Sequence, residues 1–274
     1  MTDDTPSAEL AAFADLDVNT PNAARMYDYY LDGAHNFAAD RALADQILAV
    51  APQAAAGARA NRAFLRRVVS YCLQQGIRQF LDLGSGVPTV GHVHEIAHAT
   101  DPTARVAYVD SEAVAVVATE RILANVPTAT ITRADLREPH TVLRAPTVTD
   151  LLDFTQPVAV LMVAVLHFVS DADDPAGIVA TYADALAPGS YLALSHIDTS
   201  SEPEAALRRI RALYQNSTTP GYPRDRQQIA ALLPPQLGLL DPGLVPVEHW
   251  RPDTTTGPED VVGHFRGALT HKPG

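Results

Sequence analysis

The sequence predicts an α/β fold built on a parallel, doubly wound sheet, and three observations carry that prediction. Strand-like and helix-like segments alternate over roughly 190 residues after position 78, the order that parallel strands with crossover helices require. QFLDLGSG at 79–86 is a short apolar run that breaks into glycines, as a buried strand does on entering a tight turn. PVAVLMVAVLHF at 157–168 is apolar without alternation, as expected of a central strand covered on both faces. Of the 274 residues 47% are hydrophobic and 19% charged, which suits one large domain and excludes a wholly disordered chain.

The elements follow in order. Residues 1–20, rich in Asp, Thr and Ala, read as a flexible acidic lead-in. Asn19-Thr20-Pro21 marks a helix start, with a capping side chain and then proline near the first turn. A helix over 22–31 is then stopped by Gly33, and two more are expected at 38–50 and 54–75, the last ended by Gly76. These form a helical lid over 21–76, ahead of an α/β domain over 77–274. Within that domain the first strand is followed by a helix at 90–99. A second strand, ARVAYVD at 104–110, ends on a carboxylate and leads to a helix at 113–124. ATITRAD at 129–135 is a third strand, again ending on a carboxylate, and 157–168 is the fourth. A helix at 176–186 stops at Pro188-Gly189, and SYLALSHI at 190–197 is the fifth strand. A helical insertion covers 202–216 and another helix 224–233. GLVPVEHW at 243–250 and GHFRGALTH at 263–271 would close the sheet as an antiparallel hairpin. No internal repeat is visible, and Pro and Gly cluster after 220 in connections rather than in a linker.

Charge and cysteine content narrow the function. With 20 Lys+Arg against 32 Asp+Glu the net charge is −12, so a phosphate backbone is repelled and no nucleic-acid partner is expected. Cys72 is the sole cysteine, which excludes an internal disulfide and a cysteine-based metal cluster. The acidic opening MTDDTPSAEL does not resemble a secretory signal, and the longest apolar run is too short to span a bilayer. A cytoplasmic protein without a membrane partner is the expectation. Oligomeric state is not legible.

Open α/β sheets bind ligands at the carboxyl ends of their strands, beside the topological switch point. Asp82, Gly84, Ser85 and Gly86 fall there after the first strand, Asp110 and Ser111 after the second, and Asp135 after the third. Glycines let the backbone turn sharply and approach a ligand. An acid at the second strand tip can accept from both ribose hydroxyls, and one at the third from an exocyclic amine. That order describes an adenosine site. A dinucleotide wants G-x-G-x-x-G running into a helix, but Thr89 holds the third glycine position. No lysine follows the glycines, so a Walker A loop is excluded. S-adenosylmethionine carries no phosphate and is satisfied by the shorter turn.

FLDLGSG, YVD and ADLREP resemble the first three cofactor motifs of class I S-adenosylmethionine-dependent methyltransferases. More narrowly, NTPNAARMYDYYLDGAHNFAADR at 19–41 resembles the N-terminal signature of an actinobacterial S-adenosyl methyltransferase family, formerly a domain of unknown function. FLDLGSGVPT and LMVAVLHFV fit that family too, and the likeness runs over nearly all of 19–274. The resemblance implies a Rossmann-like, seven-stranded, mostly parallel sheet whose last strand is antiparallel, with an N-terminal helical extension. It implies S-adenosyl-L-methionine as cofactor, S-adenosyl-L-homocysteine as product and a small-molecule acceptor, whose identity it leaves open. A regulator that binds the cofactor without turnover, or an NAD-dependent oxidoreductase, are the alternatives.

Asp82, just inside its strand, is expected to accept from loop amides and from the cofactor's ammonium, and Leu136 to offer its backbone N–H to adenine. Arg25 and Asn36, polar residues of the signature, are expected at the methionine carboxylate or the acceptor, with Arg59 of the same type. His167 and His196, at the ends of the fourth and fifth strands, and Tyr30 are the candidates for catalysis, should the acceptor need to lose a proton. Tyr27, Tyr29 and Phe37 could line an acceptor pocket or simply pack a helix. His94-Glu95-Ile96-Ala97-His98 is a literal H-E-x-x-H. It lies on the helix after the glycine loop with no third ligand in view, so these side chains are expected to face solvent and no metal is expected.

Overall fold

A computed structural model describes residues 17–87, 91–200, 204–215, 217–253 and 263–274. Residues 1–16 of the expected lead-in, and Thr89, lie outside them. Three helices come first: α1 (Ala23–Tyr30), α2 (Ala38–Leu48) and α3 (Ala54–Gln74). Asn22 caps α1 by accepting from the Ala24 N–H. Beyond Gln74, Gly76 takes φ of 89°, a left-handed conformation that stops α3.

The α/β part follows as β1 (Gln79–Leu83), α4 (Val93–His98), β2 (Arg105–Asp110), α5 (Ala113–Leu123) and β3 (Ala129–Arg133). Next come α6 (Pro139–Leu143), α7 (Pro146–Thr149), β4 (Ala159–Val163), α8 (Pro175–Ala185) and β5 (Tyr191–Ile197). The chain ends with α9 (Glu204–Tyr214), α10 (Arg226–Ala230), β6 (Gly238–Leu239), β7 (Val245–Pro246) and β8 (Phe265–His271). Among the described residues the sheet has eight strands in the order β3-β2-β1-β4-β5-β8-β6, with β7 also on β8. The first five are parallel, and β8 runs antiparallel to β5. The expected seventh position is shared: β6 and β7, two residues each, pair with successive stretches of β8. The terminal hairpin is accordingly shorter than expected, because 247–249 turn into a 3-10 helix after Pro246.

The long apolar run also divides. β4 ends at Val163, Ala164 takes φ of 58°, and Leu166–Phe168 form a 3-10 turn. His167 therefore sits past the strand rather than within it.

Side-chain alternation sorts the sheet into two faces. Phe80, Val106, Tyr108 and Leu161 join Phe64, Val68 and Cys72 of α3 on one face. Leu81, Val109, Val160 and Met162 pack with Val179 and Tyr182 of α8 on the other. A third cluster unites Met26, Leu43 and Ile47 with Ala54 and Ala58 at the start of α3, and Ile210 and Tyr214 of α9 pack against it. One end of α3 thus belongs to the helical extension and the other to the sheet. Among the described residues no helix is long and apolar enough to cross a membrane.

Candidate functional site

The chain runs outward from β1 to β3 and then returns to β4, so the switch point lies between β1 and β4. A cavity of about 360 Å³ opens at the carboxyl ends of these strands. Asp82, Gly84, Ser85, Gly86, Asp110, Ser111, Asp135, Leu136, Tyr30 and His167, all singled out from sequence, line it.

The loop after β1 is built by backbone geometry. Gly84 and Gly86 have φ of 71° and 69°, and a Cβ on Gly84 would lie 2.2 Å from Val165 Cγ2. Only glycine meets both demands at 84. The N–H groups of Gly84 and Ser85 donate to the Val109 carbonyl at 2.8 and 3.2 Å. Asp110 closes the turn: one carboxylate oxygen accepts from Gly86 N at 2.7 Å, the other from Glu112 N at 2.8 Å. Burial pushes the Asp110 carboxyl up to about 6, against those amide bonds, which favour the charged form.

Asp82 behaves otherwise than expected. Among the described residues no loop amide reaches its carboxylate, and burial pushes it up to about 7, opposed by the charge of Arg62. Arg62, on α3, lines the same cavity, and its Nε is buried without a partner. The two share the cavity because Asp82, two residues after Phe80, points to the sheet face that α3 covers. Ser85 Oγ is likewise buried and unpartnered. Burial raises the Asp135 carboxyl, yet the hydrogen bonds and charge of Arg137 outweigh it and hold the group below the usual range. Leu136 contributes its carbonyl to the Tyr182 hydroxyl at 3.1 Å.

Several expected residues lie elsewhere. Arg25 is 2% exposed and does not line the cavity. Its guanidinium reaches Asp40 at 2.9 Å, Glu112 at 2.7 Å and the Thr20 carbonyl at 2.6 Å, so its donors are already committed. Asn36 also stands away from the cavity, donating to Asp28 and the Gly33 carbonyl. Tyr29 bonds Asp45, Phe37 lies under the Arg25 guanidinium and Arg59 donates to the Tyr30 carbonyl, and none of the three lines the cavity.

His196 is buried beneath the site rather than in it. Its Nδ1 donates to the Ile197 carbonyl at 2.7 Å, so its Nε2 accepts from Arg224 at 3.0 Å. Both nitrogens are used, so neither is free to take a proton from a substrate, and burial holds the ring down at about 4. His167 differs. It lines the cavity, its Nδ1 has no partner, and burial among rings holds it well below the usual histidine value.

Of the H-E-x-x-H residues Glu95 is exposed, as expected, whereas His94 is buried and His98 half-buried, contrary to the expected solvent-facing arrangement. The Tyr108 hydroxyl accepts from the His94 backbone N–H and shares a second hydrogen bond with His94 Nδ1, both at 2.8 Å. His98 Nε2 donates to the Ala104 carbonyl at 2.9 Å, and Glu95 caps its own helix through Gly91 and His92 N–H. Among the described residues no three His, Cys, Asp or Glu are grouped to hold a metal ion.

Sequence reading missed Arg62, Asn61, Tyr214 and His264, all cavity residues. Arg62 and Asn61 fall in an ordinary helical pattern, and only the packing of α3 on the sheet brings them to the strand ends. His264 belongs to the approach to β8 and reaches the cavity through the antiparallel return. Tyr27 lines it too, donating to the Ala58 carbonyl and accepting from Asn61.

The family model described as S-adenosyl methyltransferase matches residues 9–273. A solved structure from Thermobifida fusca YX, described as a candidate methyltransferase, shares 35% identity and a TM-score of 0.88, covering 94% of this chain and 97% of its own. A DUF574 family protein from Streptomyces avermitilis shares 34% identity and a TM-score of 0.88, covering 94% and 99%. No curated protein matches the chain. With a family model spanning nearly all of the sequence and two solved relatives sharing its fold end to end, the protein belongs to the S-adenosyl methyltransferase family.

Proposed function

We propose that the protein is an S-adenosylmethionine-dependent methyltransferase acting on a small molecule in the cytoplasm. The observation that carries the reading is the pairing, at one cavity, of a glycine turn closed by Asp110 with two opposite charges, the buried Asp82 carboxyl and Arg62, whose Nε has no partner. A buried carboxylate and an unpaired guanidinium N–H, here beside the Tyr27 ring, are costly unless a ligand completes them. An α-amino acid end does so, its ammonium on Asp82 and its carboxylate on Arg62. The carboxylate role first assigned to Arg25 and Asn36 passes to Arg62.

When bound, the cofactor supplies an activated methyl group on a sulfonium. Gly84 and Gly86 leave room for close approach, and Ser85 and Ser111 offer hydroxyls beside it. Asp110, with one lone pair of each oxygen already used by amides, has capacity left for two ribose hydroxyls. Leu136 and Asp135 lie at the adenine end, where Asp135, shared with Arg137, accepts from the amine. The helices α1 and α3 with α9 serve as a lid that excludes water and holds the acceptor in line, which by itself supplies much of the rate enhancement. His167 receives a proton at a ring nitrogen where the acceptor must lose one.

Calorimetric titration tests this reading. S-adenosylmethionine and S-adenosylhomocysteine are expected to bind at micromolar levels and NAD not at all; binding of NAD alone would return the site to a dinucleotide. Arg62→Gln is expected to weaken S-adenosylhomocysteine about 10- to 100-fold while leaving 5′-methylthioadenosine, which lacks the amino-acid end, unchanged. Cofactor binding without turnover on any acceptor would favour the regulatory reading.

A further inference from the structure

The charges of the cavity are not spread evenly. Asp82, Asp110, Asp135 and Arg137 gather at the ends of β1 to β3, with Arg62 over them. The other end, beyond β4 and under α9, is walled by rings. His167 lies 4.2 Å from Phe168 and 6.0 Å from Phe265, His264 lies 5.1 Å from Phe265, and Phe168 lies 6.3 Å from Tyr214. Among the described residues the formal charge on this wall is Arg211, exposed on α9.

Two histidines stand among the polar groups of that wall, beside the Tyr30 and Tyr214 hydroxyls. Each has a buried Nδ1 without a partner, and among the described residues neither ring makes any hydrogen bond. The contrast with His196, which uses both nitrogens, is local and specific. Burial holds His264 at about 4 and His167 well below the usual value, so both are neutral at pH 7. A neutral imidazole has one bare nitrogen that wants a donor. An ammonium ligand here would lose its water and gain no counter-charge, and a carboxylate would find only the exposed, solvated Arg211. A flat, neutral molecule loses little and gains ring contacts.

We propose that this end of the cavity binds an uncharged, planar aromatic acceptor bearing a hydroxyl or ring N–H, oriented by His167 and His264. The assignment rests on the methyltransferase reading for its role as acceptor site, whereas the ligand chemistry rests on the wall alone.

The probes are 1-naphthol, naphthalene, 1-naphthoate and 1-naphthylmethylammonium, titrated at pH 7 into the whole chain, free and with S-adenosylhomocysteine. 1-Naphthol is expected to bind about tenfold or more tighter than each of the other three. His264→Phe and His167→Phe are each expected to bring 1-naphthol toward the affinity of naphthalene. Equal or tighter binding of 1-naphthoate would overturn the proposal and make Arg211 the determinant. Naphthalene binding as tightly as 1-naphthol would overturn it too, by removing the histidines' role. S-adenosylhomocysteine failing to bind would instead defeat the cofactor reading, while the series on the free chain still decides the chemistry of the wall.

Discussion

Asp82 stands on the sheet face that α3 covers, where burial pushes its carboxyl up to about 7 despite the nearby charge of Arg62. A carboxyl whose folded value lies above its ordinary 3.8 favours the fold most below 3.8, and that contribution is lost as pH rises through about 7. A ligand ammonium needs the ionised form, so ligand binding runs the other way. Affinity for S-adenosylhomocysteine is expected to rise with pH and to level off above about pH 7.5, with about half a proton released on binding at pH 7 and more at lower pH. Asp110, held at about 6, adds an earlier step of the same sign. Asp82→Asn is expected to remove the later step and keep the earlier one, which calorimetry in buffers of different ionisation enthalpy would read. An unchanged profile would separate Asp82 from the ligand. Gly84, Asp110 and Asp135 were legible from sequence because a strand ending in glycine or in an acid marks its own carboxyl end. Arg62 was not, since nothing in a helical repeat says which sheet position it will face.

Elements meet here with little slack. α3 crosses the sheet so closely that a Cβ on Gly267 of β8 would lie 2.7 Å from Phe64 Cζ. The same Phe64 packs edge-on to Trp250 at 5.4 Å, which leaves its ring little freedom to yield. Gly267→Ala is expected to destabilise the fold by about 1–3 kcal/mol through overpacking. Phe64→Leu in the same chain is expected to recover part of that loss, giving a coupling energy in a double-mutant cycle of urea midpoints. Additive effects would show that α3 and β8 adjust independently. Strand and helix identities were readable from periodicity, but their lengths were not. The apolar run after residue 157 promised a strand to 168, whereas β4 stops at Val163. Arg224 holds the following turn by donating to the Leu166 and Val169 carbonyls and pairing with Asp171, contacts made from 53 or more residues away.

At the scale of the whole molecule, a buried chain of charges joins the helical extension to the sheet. Asp40 on α2 accepts from Arg25 on α1, Arg25 from there reaches Glu112 ahead of α5, and the Glu112 N–H is held by Asp110 at the glycine turn. Arg25→Ala leaves Asp40, fully buried, without its cation, and is expected to cost about 3–5 kcal/mol in chemical denaturation. Arg25→Lys is expected to rescue little, because one ammonium cannot serve three divergent acceptors. A small loss in the alanine variant would mean that the extension docks by its apolar cluster alone. The family signature around Arg25 was visible in the sequence, but its role as a tether rather than a ligand contact was not. What the sequence by itself determined is local or periodic: the alternating α/β order, the glycine turn, and the acids at the strand tips. The tertiary structure alone decided which polar atoms stay unpartnered, which histidines are saturated and which rings wall one end of the cavity. Those properties depend on burial and on partners far apart in the chain, and neither is encoded at any single position.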